Sequence, residues 1–288
     1  MIPAPFAYHR PKSLAEATAL LGQHADTARV LAGGQSLIPM MKLRLAAPDH
    51  LVDIGAIAEL KGIARKGDSI SIGAMTTQHE LVASPLVAET VPIIRETSLL
   101  VADPQVRYLG TVGGNVANGD PGNDMPAVMM CLDASYRLLG RGGERRVKAR
   151  EFYRGAYATA LADGEIVTAI EVPIPRAGHG YAYEKLKRKI GDYATAAAAV
   201  VLVADAGKIS QCAITLSNLG DTPLNAEAAA AAVVGSSLDA AALAAAAKAA
   251  RTIMAPAADT RGSVEYRTYV GGVMVERALK RALARSKT

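Results

Sequence analysis

The length of the chain, 288 residues, exceeds the usual size of a single-core domain and predicts two or three subdomains. Half of the residues are apolar and 20% are charged, which is typical of a globular protein. No apolar stretch reaches about 18 uninterrupted residues, so a membrane span is not expected. The formal net charge is +5, but basic and acidic residues interleave and Trp is absent, which does not favour nucleic-acid binding.

The N-terminus has no basic segment followed by an apolar one, so no secretory signal is expected and the predicted location is cytoplasmic. Cys131 and Cys212 are too few for a disulfide framework, a four-cysteine zinc site or an iron–sulfur cluster. The five histidines are scattered and show no H-E-x-x-H spacing. We therefore expect no metal ligands and no catalytic side chains here, and any metal chemistry is expected on a partner.

The first 56 residues have the pattern of a small α/β unit. Ser13 and Glu16 have the spacing of a capping box, and apolar residues at helical spacing follow them, which predicts a helix over 13–24. A short buried strand is predicted at 29–31, a helical turn at 36–42 and a returning strand at 51–54.

A second subdomain is predicted over residues 57–177. Alternating residues at 69–73 indicate a strand, and the pair Thr77 and Glu80 predicts a capped helix. Ser84-Pro85 begins a further helix that runs to about residue 100 and is interrupted at Pro92. Strands follow near 135–139 and 165–172.

Residues 178–288 are predicted to form a third part. Three strands near 181–187, 196–204 and 209–217 form an antiparallel meander. Helices are predicted afterwards at 225–234, 238–254 and 264–284, where the high alanine content gives high helix propensity.

Two glycine pairs predict a ligand-binding site. Each follows an apolar run and precedes a short polar residue: Ala32-Gly33-Gly34-Gln35-Ser36 and Thr111-Val112-Gly113-Gly114-Asn115. Because glycine has no Cβ, the four backbone N–H groups of these pairs are expected to turn toward an anion and approach it closely. Ser36, Thr111 and Asn115 add side-chain donors, so a dinucleotide diphosphate is the expected ligand.

The glycine pairs match neither of the familiar nucleotide loops, because the chain has no G-x-G-x-x-G that opens a helix and no G-x-x-x-x-G-K-[ST]. A single glycine pair is most simply a tight turn. Two similar strand-to-turn units in one chain favour a shared phosphate-binding role.

The same residues identify a family. The two glycine motifs, together with 36–42 and 185–196, resemble the FAD-binding subunit of the molybdenum hydroxylases over nearly the whole chain, and within that family the carbon monoxide dehydrogenase type. The resemblance implies an α+β architecture: a vanillyl-alcohol-oxidase (PCMH-type) FAD-binding fold of two α/β subdomains, 1–56 and 57–177, followed by a C-terminal three-stranded antiparallel sheet with helices, 178–288.

The resemblance also assigns roles to residues. The two glycine loops wrap the pyrophosphate of FAD, and Asp124 contacts the sugar-like portion of the cofactor. Ile166 or Val167 contacts the flavin edge, and the two are not distinguished. Lys185 lies near the isoalloxazine and Tyr193 shields one of its faces, with Arg188 and Asp192 as an ion pair in the same loop. The sequence is equally compatible with each of these residues being an ordinary turn or strand residue that does not contact a cofactor.

As the resemblance implies, the chain is an electron relay. FAD accepts electrons from a [2Fe–2S] small subunit, which receives them from a molybdenum large subunit, and passes them to an external acceptor such as a quinone. A dimer of heterotrimers is expected, with peripheral membrane association through the acceptor. The alternatives are a free-standing flavin-dependent oxidoreductase, a subunit of a purine, aldehyde or N-heterocycle dehydrogenase, and a scaffold that binds a nucleotide for stability only.

Overall fold

The N-terminal part is a three-stranded parallel sheet covered by one helix. The computed structural model describes residues 2–287. The elements here are β1 (Ala7–His9), α1 (Leu14–His24), β2 (Ala28–Leu31), α2 (Leu37–Lys42) and β3 (His50–Asp53), with the strands in the order β1-β3-β2. The sequence predicted all of them except β1, whose three residues are too few to show a period.

The cap of α1 and its apolar face explain how this unit closes. The Ser13 hydroxyl accepts the N–H of Glu16 at 3.2 Å, but the Glu16 carboxylate accepts the N–H of Lys12 rather than that of Ser13, so the capping box is incomplete. Ala17 and Leu21 of α1 are buried in one cluster with residues of β2 and β3.

The second part is built on a five-stranded antiparallel sheet. Its elements are β4 (Ile63–Lys66), β5 (Ser69–Gly73), α3 (Gln78–Ala83), α4 (Pro85–Thr90), α5 (Pro92–Leu100), α6 (Pro104–Leu109), α7 (Val112–Ala117), α8 (Asp124–Cys131), β6 (Ser135–Gly140), β7 (Gly143–Lys148), α9 (Ala149–Phe152), β8 (Tyr153–Gly155), β9 (Ala158–Thr159) and β10 (Ile166–Pro173). The order in the sheet is β4-β5-β10-β6-β7, and β8 pairs with β9 separately. The interruption at Pro92 is present, since α4 ends at Thr90 and α5 begins at Pro92.

The second glycine pair does not follow a strand, which corrects the prediction of two strand-to-turn units. It lies in the first turn of α7, and Thr111 is the N-cap, with its hydroxyl accepting the N–H of Gly114. The preceding apolar residues belong to α6. An apolar run of this length is compatible with a strand or a buried helix, so periodicity alone did not separate them.

The C-terminal part is an antiparallel meander with helices packed on it. Its elements are β11 (Gly180–Leu186), β12 (Ala196–Asp205), β13 (Lys208–Ser217), β14 (Leu224–Asn225), α10 (Glu227–Ala231), α11 (Ala240–Arg251) and α12 (Val264–Arg285). The three long strands are the predicted ones, and β14 adds a two-residue fourth strand beside β13. Because Asn225 pairs with Thr215 in this ladder, α10 is shorter than the predicted helix.

Side chains close the free edge of β11, the outer strand of this sheet. The carboxylate of Glu96 on α5 accepts the backbone N–H of Tyr183 at 2.6 Å and binds both Arg281 and Arg285 of α12. Arg281 donates to the carbonyl of Tyr183 and Arg285 to that of Tyr181, each at 3.0 Å. These bonds satisfy backbone groups that an edge strand otherwise exposes. We refer to Glu96, Arg281 and Arg285 as the Glu96 clamp.

Within residues 2–287, no helix has both the length and the apolar character that crossing a bilayer requires.

Candidate functional site

A cavity of about 580 Å³ opens where the three parts of the chain meet. Its size lies in the range of cofactor and ligand sites. The predicted site residues that line it are Ala32, Gly33, Gly34, Gln35, Ser36, Thr111, Gly113, Gly114, Asn115, Asp124, Ile166, Lys185 and Tyr193. Val112 does not line it, because its side chain is fully buried in the core beneath α7.

The first glycine loop presents free donors to this cavity. Among the described residues, no group accepts the backbone N–H of Gly33, Gly34, Gln35 or Ser36. Gly34 has φ +71°, a left-handed conformation that glycine adopts without strain. Successive unpaired N–H groups in such a turn form an anion-binding concavity.

Close approach of two backbone segments fixes the position of this loop. A Cβ atom on Gly33 would lie 2.1 Å from the carbonyl oxygen of Leu109 and 2.9 Å from the Cα of Gly110. The side-chain amide of Gln35 donates to the carbonyl of Gly33 at 2.9 Å, which stabilises the turn from within. Gly33 is therefore required by the contact between the loops as well as by any ligand.

The second glycine loop uses its N–H groups internally, which corrects the expectation that both pairs turn donors toward an anion. The N–H of Gly113 donates to the carbonyl of Ala74 at 2.9 Å, and that of Gly114 donates to the Thr111 hydroxyl at 3.1 Å. The N–H of Asn115 bonds the Thr111 carbonyl within the helix. Only side chains of this loop remain as donors or acceptors for a ligand.

Three buried polar atoms beside the second loop have no partner in the described structure. They are Nε2 of Gln78, Oδ1 of Asn115 and Nδ2 of Asn118, and all three residues line the cavity. A buried polar group without a partner costs about 1–3 kcal/mol, so such groups are expected to meet a polar ligand or water. Together with the free N–H groups of the first loop, they fit a large polar ligand such as a dinucleotide.

Two of these residues, Gln78 and Asn118, were missed by the sequence analysis. The three-residue spacing of Asn115 and Asn118 on a helix places both on one face, and this was the available signal. Gln78 follows the N-cap Thr77 of α3, and nothing in its sequence context distinguishes it from an ordinary first-turn residue.

A buried ion pair, Lys185 with Asp124, also lines the cavity. The Lys185 ammonium donates to Oδ2 of Asp124 at 2.7 Å, and the Tyr183 hydroxyl donates to Oδ1 at 2.6 Å. The side chains of Lys185 and Asp124 are only 1% and 5% exposed. Burial, followed by the charge of Asp124, raises the pKa of Tyr183 well above its usual value, so its hydroxyl stays protonated. The pair brings a fixed cation and a carboxylate to the cavity with little net charge.

Tyr193 lines the cavity and is partly exposed to solvent. Its side chain is 41% exposed, and the Arg261 guanidinium lies 5.8 Å from the centre of its ring. The expected ion pair of Arg188 with Asp192 is present at 3.0 Å, and Arg261 adds a second bond to Asp192 at 3.2 Å. Although burial opposes ionisation, these hydrogen bonds lower the pKa of Asp192, so the loop is held by a charged carboxylate.

The β10 strand supplies the apolar wall. Ile166 and Val167 both line the cavity and are both buried, so the choice between them stays open. Ile166 and Val167 pair in regular register with Leu139 and Leu138, and the register of β10 with β6 shifts only after them, between Val167 and Ala169.

Comparison with known proteins places this chain in a family. Residues 4–175 match the model of the FAD-binding domain in molybdopterin dehydrogenase, and residues 181–282 match that of the C-terminal domain of the CO dehydrogenase flavoprotein. The chain is 60% identical to the carbon monoxide dehydrogenase medium chain of Afipia carboxidovorans over 287 residues, covering 100% of both chains. It is 37% identical to the glyceraldehyde dehydrogenase medium chain of Sulfolobus acidocaldarius, covering 97% of this chain and 99% of the relative.

A solved structure shows the same fold. In the reconstituted CO dehydrogenase from Oligotropha carboxidovorans, the matching chain is 60% identical, with a TM-score of 0.99 over 99% of this chain and all of that one.

The dinucleotide-sized cavity with its free donors and the two domain matches together define a flavoprotein: the chain belongs to the FAD-binding subunits of the molybdopterin dehydrogenases, and its cofactor is FAD. Within that family it is of the carbon monoxide dehydrogenase medium-chain type, a subunit of a molybdenum-containing oxidoreductase.

Proposed function

We propose that this chain is the electron-transfer subunit of an aerobic carbon monoxide dehydrogenase. It takes electrons from a [2Fe–2S] subunit and delivers them to an external acceptor such as a quinone. The observation that carries the proposal is 60% identity over the full length to a carbon monoxide dehydrogenase medium chain, against 37% to a glyceraldehyde dehydrogenase medium chain.

The residues of the cavity fit FAD in a definite way. The free N–H groups of the first glycine loop and the Ser36 hydroxyl bind the pyrophosphate, which needs many donors and no lysine. The second loop lies against the first at Gly114, where a Cβ atom would be 3.5 Å from the Cβ of Ala32. The unpartnered side chains of Asn115, Asn118 and Gln78 complete the hydrogen bonds of the nucleotide part.

The remaining side chains orient the flavin. Asp124 accepts from hydroxyl groups of the cofactor while Lys185 holds its charge, and the Lys185 ammonium favours an electron-rich ring nearby. Ile166 or Val167 packs on the flavin edge, and Tyr193 covers a face. FAD itself supplies the redox chemistry, since flavins accept one or two electrons. No side chain here is assigned a catalytic proton transfer.

Partners complete the enzyme. We propose that an iron–sulfur small subunit and a molybdenum large subunit join this chain in a dimer of heterotrimers. The complex is placed in the cytoplasm, with peripheral membrane contact through its acceptor. The division of the chain at residues 56 and 177 is likewise a proposal, supported by the separate sheets on either side of each boundary.

The decisive experiment compares this chain alone with the assembled complex. Both are loaded with FAD, mixed with CO without oxygen, and followed at the flavin absorbance and at that of the iron–sulfur clusters. We expect the flavin to bleach only in the complex. A complex assembled from FAD-free chain should still reduce its clusters and fail to reduce a quinone analogue.

Two results would contradict the proposal. Flavin bleaching by CO in the isolated chain would favour a free-standing oxidoreductase. Equal rates of quinone reduction by the FAD-free and the FAD-loaded complex would show that electrons leave by another route. Replacing CO with glyceraldehyde in the same assay tests the substrate separately from the electron path.

A further inference from the structure

Three of the five histidines meet in space although they are far apart in the sequence. His9 ends β1, His24 lies in the last turn of α1 and His50 begins β3. One ring nitrogen from each lies within 4.8 Å of the others, and all three side chains are partly buried. The sequence analysis predicted no metal ligands because these histidines share no short spacing.

The fold itself produces this convergence. In the parallel pairing of β1 with β3, His9 lies opposite Val52, two residues after His50, so both histidines are on one face of the sheet. That face is the one covered by α1, because Val52 is buried with Ala17 of the helix. His24 reaches the same place from the end of α1.

The contacts among the rings show that at least one ring nitrogen of the cluster is unprotonated and carries a lone pair. Nε2 of His9 lies 3.0 Å from Nδ1 of His50, a hydrogen bond that requires one of the two rings to be neutral. The rings of His24 and His50 stack with centroids 3.6 Å apart. Neutral imidazole is the form that binds metal ions, because its unprotonated ring nitrogen carries a lone pair.

We propose that His9, His24 and His50 form a binding site for a divalent transition-metal ion of the Zn²⁺ type. Imidazole nitrogen is a preferred ligand of Zn²⁺, and three histidines with an open fourth position are a known ligand set for it. Tetrahedral Zn–N bonds place the nitrogens about 3.4 Å apart, so binding an ion requires the stacked rings of His24 and His50 to rotate until their ring nitrogens face one point.

The site is separate from the FAD cavity, since none of the three histidines lines it. His9 lies on β1, an edge strand of the N-terminal sheet, and His50 lies on β3, the central strand of that sheet. His24 lies at the end of α1. A bound ion therefore ties the N-terminal strand to the rest of the sheet, a role that has no part in the electron path.

The test uses the full chain with FAD bound, stripped of metals with a chelator and then dialysed against Zn²⁺. We expect one zinc per chain in the parent. His24→Gln and His50→Gln should each weaken zinc binding by at least about 10-fold, measured by competition with a chromogenic chelator. The matched controls are His79→Gln and His179→Gln, which remove the two histidines outside the cluster and should leave the affinity unchanged.

Each outcome decides the proposal. Zinc bound equally by the parent and the His24→Gln and His50→Gln variants, or no stoichiometric zinc in the parent, overturns it. FAD content and far-UV circular dichroism report whether each variant is folded. If a variant does not fold, Co²⁺ added to the parent still decides: the visible bands of a four-coordinate, nitrogen-ligated ion support the site, and a six-coordinate spectrum refutes it.

Discussion

The two glycine loops look alike in sequence and differ in how they use their backbone. In 33–36 the N–H groups have no acceptor among the described residues, whereas in 112–115 each of them is bonded within the protein. The first loop is therefore built to meet a ligand and the second to hold a helix against the sheet. A short motif defines where the chain bends, but only the surrounding structure decides where its donors point.

The largest loss of stability is expected when a methyl group is added to Gly33 or Gly113, because it would clash with backbone atoms at either position. A Cβ on Gly113 would lie 2.6 Å from the Ala74 carbonyl oxygen, and one on Gly33 would lie 2.1 Å from that of Leu109. Gly33→Ala and Gly113→Ala should each lower the free energy of unfolding of the FAD-free chain by about 3 kcal/mol. Urea unfolding measures this change.

Gly142→Ala is the matched control, because nothing lies within 4 Å of its Cβ position. It should leave the unfolding curve unchanged. If Gly33→Ala kept the stability of the parent and lost only FAD, the first loop would be positioned by its ligand and not by Leu109.

A second pair of variants distinguishes the structural role of the second loop from the ligand-binding role of the first. Thr111→Val removes the N-cap of α7 and should cost about 1 kcal/mol of stability. The Ser36 side chain makes no capping bond, so Ser36→Ala should leave stability unchanged. It should instead weaken FAD binding about 10-fold, since a hydrogen bond to a charged group is lost.

Urea unfolding of the FAD-free chains and fluorescence titration with FAD measure the two quantities. The comparison fails if Ser36→Ala destabilises the FAD-free chain as much as Thr111→Val does.

A smaller effect is expected at Asn118, where a buried amide nitrogen has no partner. Asn118→Ala removes an unsatisfied donor from the FAD-free chain, so its stability should not fall. The same change should weaken FAD binding about 5-fold, because the bound cofactor loses one neutral hydrogen bond. A parallel loss of stability without FAD would mean that Asn118 bonds the protein and not the ligand.

The smallest effect on cofactor content is expected at Tyr193, which is far from both glycine loops in sequence and half-exposed. Tyr193→Ala should keep most of its FAD, because the pyrophosphate contacts are intact. Rates of flavin reduction and reoxidation should change as one face becomes open to solvent. Stopped-flow absorbance on the assembled complex measures both rates, and values equal to the parent would remove Tyr193 from the flavin site.

Elements with a clear local sequence pattern were predictable, and elements without one were not. The helix α1, the strands β10 to β13 and the long helix α12 follow from local pattern. The helix α8 was missed because all of its residues are buried, so it shows no amphipathic period. β1 is stabilised by pairing with a strand more than forty residues later, which no local window contains.

The identity of most site residues was predictable from motifs and from the family resemblance, but their contacts were not. The residues of the two glycine motifs other than Val112 lie at the cavity, but the direction of their N–H groups depends on contacts with Ala74, Thr111 and Leu109. The bond between Lys185 and Asp124 joins residues 61 positions apart. The histidine cluster similarly depends on strand order, which the sequence alone did not fix.

The Glu96 clamp bears on the timing of maturation. Glu96 and Arg285 are 189 residues apart, so this contact forms only after the chain through Arg285 has been synthesised. Until then, the β11 edge that carries Tyr183 and Lys185 lacks its partners, and contacts of such long separation are slow to form. We expect FAD capture to wait for α12, so that ribosome-bound chains ending before Arg281 bind no flavin while chains that include α12 do.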